Sequence, residues 1–260
     1  MIDFKTKYGP WAIIAGASEG LGAAFAEALA KRHLNLVLIA RRSDKLEQLS
    51  HKLRDNYPIE IINHSIDLAD FEQTKLFFSE LSIDIGLLVY NAAYAPIGYF
   101  ENIPEHDLDQ IVNVNIKTPL LLTKLVSAKM IEMGKGGIVL MSSLAGSHGS
   151  PKIATYAASK AFNIILAEGL WNELKRHGID VLASCAGAIT TPGYTKAQNA
   201  KEAPGTLDAA TVAEKTINAL GKGPTTVPGT VNKVARFFMG RLFSRKFAIS
   251  IMDKNTQKLS

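Results

Sequence analysis

The chain has 260 residues, 47% of them hydrophobic and 20% charged, which supports one sizeable buried core and excludes a disordered or low-complexity protein. Its single cysteine, Cys185, excludes an internal disulfide and a cysteine-built metal site, and its six histidines form no metal-like grouping, so no metal is expected. The net charge of +5 is modest, no run approaches the roughly 18 apolar residues of a membrane span, and MIDFKTKYGP lacks the apolar core of a signal peptide; one cytoplasmic domain over 1–260 that binds no nucleic acid is expected.

In chain order, the short apolar runs WAIIAG, LNLVLIA, IEIINHS, GLLVYNAA, GGIVLMSS, IDVLASCAG and PTTVPG alternate with amphipathic segments. Because the runs are apolar throughout, they read as parallel strands covered on both faces. The expected fold is an α/β, doubly wound parallel sheet of Rossmann-like type, with its ligand beyond the carboxyl ends of the strands. After the first run, AGASEGLGAAFAEALAKR sets Gly16, Gly20 and Gly22 ahead of an Ala-rich helix. Glycines so placed permit a tight turn, close approach of a pyrophosphate and close helix packing, while the free N–H groups of the helix start attract phosphate. After the second run, LVLIARRSDKLEQL has Ala40 where a carboxylate would meet a ribose 2′-hydroxyl, then Arg41 and Arg42. Forked cations there suit a 2′-phosphate, so NADP (NADPH) is the expected cofactor, with Arg41 as first contact and Ser18 as a further donor. Glu19, an acid in the same loop, works against that choice.

Thirteen residues after Ser143 comes YAASK, with Tyr156 and Lys160 four apart and so on one helix face. Such a pair is common and decides nothing alone. Combined with the glycine spacing, it resembles the short-chain dehydrogenase/reductase family over essentially the whole chain. The stretches GASEGLG and LIARRSDKL are similar to its hydroxysteroid and 3-oxoacyl reductase branches. AGASEGLG matches the family's T-G-x-x-x-G-x-G except that Ala15 replaces the threonine, whose hydroxyl in the family helps tie the glycine loop to the fourth strand. YNAA matches N-N-A-G at Asn91 and Ala92 and departs at Tyr90 and Ala93. AGAITTP keeps Gly187, Ile189 and Thr191 in register but has Ala186 in the proline place.

The resemblance implies a catalytic tetrad of Asn115, Ser143, Tyr156 and Lys160. A tyrosine transfers a proton near neutrality only if its pKa of ~10 is lowered, and the Lys160 charge is expected to lower it. By the same resemblance Lys160 also holds the nicotinamide ribose, Ser143 donates to the substrate oxygen, and Asn115 holds a water that links Lys160 to solvent. Asn113 and Ser142 stand close enough to be alternatives; the helix pattern VNIKTP favours Asn115, and strand alternation favours Ser143. Cofactor contacts are expected at Gly16, Ser18, Gly20, Leu21, Gly22, Arg41, Arg42, Asp67, Leu68, Asn91, Ala92, Tyr156, Lys160, Ile189 and Thr191. A mostly apolar substrate wall is expected from Tyr94, Ile97, Leu144, His148, Ile153, Ala188 and Tyr194, with a lid in TPGYTKAQNAKEAPGT. The implied function is NADPH-dependent reduction of a carbonyl on a hydrophobic substrate, Tyr156 giving the proton, in a homodimer or homotetramer. The alternative is a non-catalytic NADP-binding regulator of the same fold.

The tail carries the charge. Residues 231–260 sum to +6 and the rest of the chain to about −1. At 100° per residue, Val231, Val234, Ala235, Phe238, Met239 and Leu242 fall on one stripe, with Lys233 and Arg236 opposite; Phe237, Arg241 and Phe243 break the pattern. Such a stripe needs a surface: its own domain, a second subunit near the substrate mouth, or an anionic membrane to which the protein would be peripheral.

Overall fold

The computed structural model describes residues 3–191, 203–257 and 259. The seven apolar runs become β1 (Trp11–Ala15), β2 (Asn35–Ala40), β3 (Ile61–Ser65), β4 (Ile85–Tyr90), β5 (Gly136–Ser143), β6 (Ile179–Ala186) and, after a short pair β7 (Ile189–Thr190) and β8 (Leu207–Asp208), β9 (Thr225–Thr226). They form one parallel sheet in the order β3-β2-β1-β4-β5-β6-β9. Between them lie α1 (Phe4–Tyr8), α2 (Gly20–Ala30), α3 (Ser43–Asn56), α4 (Phe71–Glu80), α5 (Glu105–Val112), α6 (Thr118–Met133), α7 (Ala154–Lys175), α8 (Ala209–Ile217), α9 (Thr230–Phe237) and α10 (Arg245–Thr256).

The inner strands are largely apolar because both of their faces are buried, whereas the edge strands β3, which carries Asn63, His64 and Ser65, and β9 are only partly buried. Ala12, Ile14, Leu36 and Leu38 pack in one core with Phe25 and Leu29 of α2 and Val212 and Ile217 of α8. Their neighbours Ile13, Ala15, Val37 and Ile39 pack in the other with Leu122, Val126 and Met130 of α6 and Ile164 of α7. Winding reverses between β1 and β4, so the carboxyl ends at Ala15 and Tyr90 flank a crevice. Cys185, fully buried, is the second-last residue of β6.

The C-terminal stripe is not one packed face. α9 runs into a π-helical turn at Phe238–Leu242 before Ser244 caps α10 through the Phe247 N–H. That wider turn breaks the 100° register. Ala235 and Met239 are half-buried against the domain, whereas Val231, Val234, Phe238 and Leu242 are exposed. Among the described residues no helix is long and apolar enough to cross a membrane.

Candidate active site

The crevice is a cleft of about 530 Å³ at the strand ends, and Gly16, Ser18, Gly20, Leu21, Arg41, Arg42, Asp67, Leu68, Asn91, Ala92 and Thr191 line it. Gly16 has φ +86, and a Cβ there would stand 2.7 Å from the Ala92 nitrogen; a Cβ on Gly22 would stand 1.9 Å from the Gly16 carbonyl oxygen. Gly16 therefore shapes the cradle and Gly22 lets α2 close under it. Ala15 supplies no hydroxyl, yet the loop is still tied to β4: Asn91 and Ala92 N–H groups donate to the Ala15 carbonyl, and the Asn91 side chain donates to the Gly16 carbonyl at 2.9 Å. Arg42, rather than Arg41, meets Ser18, donating to its hydroxyl at 3.0 Å while pairing with Glu19 at 2.9 Å. Arg41 is exposed, with its carbonyl held by the Ser65 hydroxyl. A phosphate-bearing dinucleotide fits this donor set: a loop with glycine at its two close approaches, a helix start and two guanidinium groups at one rim.

None of the four tetrad positions lines this cleft; they gather instead where β5 and the Asn113–Lys117 turn pack on α7. Ser143 ends β5 and caps the short turn Leu144–Ser147 by accepting from the Ala145 N–H at 3.2 Å. Ser142 points the other way and donates to the Lys160 carbonyl at 2.7 Å, fixing α7 to the strand. The buried Lys160 ammonium donates to the Met141 carbonyl at 2.9 Å, one of the three bonds it can make, and stands 5.5 Å from the Tyr156 ring centre. Burial lowers its pKa to about 8.

The Tyr156 phenol behaves differently from the sequence expectation. Burial pushes its pKa up rather than down, and the Ser143 hydrogen bond works the other way. Asn115 also differs. It sits in a π-helical turn, Asn113–Lys117, and is fully buried. Its side chain accepts from the Tyr94 N–H at 2.8 Å and donates to the Tyr94 carbonyl and the Ser159 hydroxyl, both at 2.9 Å. Both hydrogens of its amide nitrogen are used, so a relay water there would bind an oxygen, either the side-chain oxygen, which accepts one bond, or the Asn115 main-chain carbonyl. That carbonyl accepts one long bond, 3.4 Å, from Asn163.

Beyond Ser143 opens a second cavity of about 270 Å³, lined by Leu144, His148, Ala188, Pro204 and the inner faces of α9 and α10. Of the expected substrate wall, Leu144, His148 and Ala188 are there. Tyr94 lines the cofactor cleft instead, where its hydroxyl donates to Asp107 at 2.5 Å. Ile97 lines a separate recess with Pro96 and Tyr99, and Ile153 stands at the N-cap of α7. Tyr194 and most of the expected lid lie outside the described residues. His148 is not merely solvated: partial burial, then the Arg245 charge, lower its pKa, while a hydrogen bond with the Met239 backbone raises it.

A family model described as short chain dehydrogenase matches residues 10–202. The chain belongs to the short-chain dehydrogenase family. It is 33% identical over 204 residues to the very-long-chain 3-oxoacyl-CoA reductase of Anas platyrhynchos, covering 72% of this chain but 64% of that one. A solved 7beta-hydroxysteroid dehydrogenase superposes with a TM-score of 0.90 at 26% identity over 96% of this chain and 99% of its own. A short-chain dehydrogenase from Sphingobium yanoikuyae, solved in complex with NADPH, gives 0.80 at 28% identity over 88% and 91%.

For this short-chain dehydrogenase, sequence reasoning missed the far wall of the second cavity: Asn232, Ala235 and Arg236 from α9, Met239 from the π-helical turn after it, and Met252, Asn255 and Thr256 from α10. The tail's periodicity marked a face to be covered, without marking Arg236 as part of it. Gln110 and Val114 on the cofactor cleft carried no signal. Four expected cofactor residues do not line the cleft: Gly22 lies under the loop, Ile189 packs on the core, and Tyr156 and Lys160 stand on α7 outside the lining.

Proposed function

We propose that this short-chain dehydrogenase reduces a carbonyl on a largely apolar substrate that also carries an acidic group, with NADPH as reductant. The observation that carries the reading is the place of Ser143. Ser143 lines the mostly apolar second cavity and is hydrogen-bonded to Tyr156, so a carbonyl that reaches Ser143 from that cavity has the Tyr156 phenol next to it. A nicotinamide cofactor held by the glycine loop and the two arginines would supply the hydride, and with it the two electrons, that the substrate carbon gains. Tyr156 gives the oxygen its proton, completing the alcohol, while Ser143 donates a second hydrogen bond to it. Burial keeps Tyr156 protonated at neutral pH, the form that reduction needs. Lys160 steadies the phenolate left behind, and Asn115 is a positioning residue for Tyr94 and Ser159. Arg41 and Arg42 at the rim favour a 2′-phosphate.

The acidic group is inferred from Arg236. It lines the cavity, reaches the buried Cys185 thiol, and meets no carboxylate at ion-pair distance among the described residues. A cation in a mostly apolar wall selects a substrate that brings the missing anion. The whole chain acts as one catalytic unit, paired with a second copy through the exposed apolar face of α7 around Ile165 and Phe162.

The test is NADPH oxidation across apolar ketones and aldehydes with and without a carboxylate. Tyr156→Phe should lose turnover by about 10² to 10⁴ while NADPH affinity stays near wild type. Tight NADPH binding with no turnover on any carbonyl would favour the regulator. Turnover by Tyr156→Phe within a few-fold of wild type would remove the tyrosine from the chemistry.

A further inference from the structure

We propose that the outer face of the α9–α10 hairpin docks this protein on an anionic lipid surface. The face is apolar and open: Val234 is 50% exposed, Phe237 54%, Phe238 42%, Leu242 60%, Phe243 38% and Phe247 53%. It is also one piece. Ring centres are 5.8 Å apart for Phe237 and Phe238, 6.3 Å for Phe238 and Phe243, and 5.0 Å for Phe243 and Phe247, so a chain of rings crosses the π-helical turn from one helix to the next. Four phenyl groups left in water at neighbouring positions are costly, and contiguous patches of this kind mark interaction sites.

Charge selects the occupant. Lys233, Arg241, Arg245 and Lys246 are exposed around the rings and form no ion pair among the described residues. No acid occurs between residues 231 and 252. The domain itself does not cover this face, because Ala235, Met239, Met252 and Thr256 on the inner side already close the second cavity. A second copy seated by twofold symmetry would bring this cationic rim against an identical one, a like-charge contact that opposes pairing. An anionic bilayer answers both features: rings enter the acyl boundary and the cations meet headgroup phosphates. The second cavity, whose wall is the inner side of the same hairpin, then lies beside the phase in which apolar substrates dissolve.

The test uses the full chain, with no turnover readout, so it stands apart from the proposed reaction. Protein is sedimented with vesicles of phosphatidylcholine alone, and with phosphatidylcholine holding about a third of phosphatidylglycerol, at about 50 mM and about 500 mM salt. Binding is expected on the anionic vesicles at low salt, with release at high salt and none on the neutral ones. Phe237→Ser with Phe247→Ser should abolish it, and Arg241→Gln with Lys246→Gln should weaken it by about thirtyfold. Unchanged thermal unfolding of both variants shows that exposed positions alone were altered. Folded wild type that stays in the supernatant at every composition, or that binds neutral vesicles equally, overturns the proposal. So does a lipid-free dimer that the serine variant splits in sedimentation velocity, which would make the face a subunit contact.

Discussion

Lys160 holds its proton less tightly than a surface lysine, because burial away from water disfavours the charged amine. The charged form is the one that steadies a phenolate, so turnover should persist below pH about 8 and fall as pH rises through it. A profile of kcat/KM against pH measures this; a flat profile across that region would take Lys160 out of the proton path. At the rim of the cleft, Glu19 holds Arg42, which is thereby partly neutralised. Glu19→Gln should release the guanidinium and tighten NADPH roughly three- to tenfold, whereas Arg41→Ala should weaken it by about tenfold. NADH titrations should barely move in either case. Equal shifts for both cofactors would show that this rim does not read the 2′-phosphate. The sequence displayed Glu19 and both arginines, but not which arginine the acid would hold. That depends on Arg42 lying beside the glycine loop, a contact 23 positions away in the chain.

At the scale of elements, the π-helical turn at Asn113–Lys117 brings a fully buried asparagine between a loop and α7. Asn115→Ala removes three side-chain hydrogen bonds and leaves the Tyr94 backbone groups short of partners. It should cost about 2–4 kcal/mol in denaturant unfolding and loosen NADPH binding. A cost below about 0.5 kcal/mol would mean that the turn holds without it. The inner strands were legible because two buried faces leave an unbroken apolar run, and the glycine loop because its backbone needs residues without a Cβ. Neither π-helical turn was legible. One widened turn carries no compositional mark, yet at Phe238–Leu242 it separates Ala235 and Met239 from the exposed Phe238 and Leu242 that a straight helix would align with them. Tyr94 was misplaced for a related reason. Its position after β4 suggested the substrate side, but the Asn115 side chain draws the loop back over the cofactor cleft.

For the whole molecule, the face of α7 around Ile165, which is 67% exposed, is the surface on which the proposed pairing rests. Ile165→Glu should shift sedimentation velocity from a dimer or tetramer to a monomer without lowering NADPH affinity. A wild-type monomer, or an unchanged assembly in the variant, would place any pairing elsewhere. The division of labour along the chain has a further consequence. The glycine loop and the residues of the tetrad all lie within 10–202, the stretch the family model matches, as do Leu144, His148 and Ala188, whereas α9 and α10, which close the second cavity from its far side, lie beyond it. The far wall of that cavity is thus carried by a stretch of polypeptide separate from the tetrad, although its near wall is not. Exchanging the stretch after residue 202 between relatives should therefore alter substrate preference while Ser143 and Tyr156 stay in place.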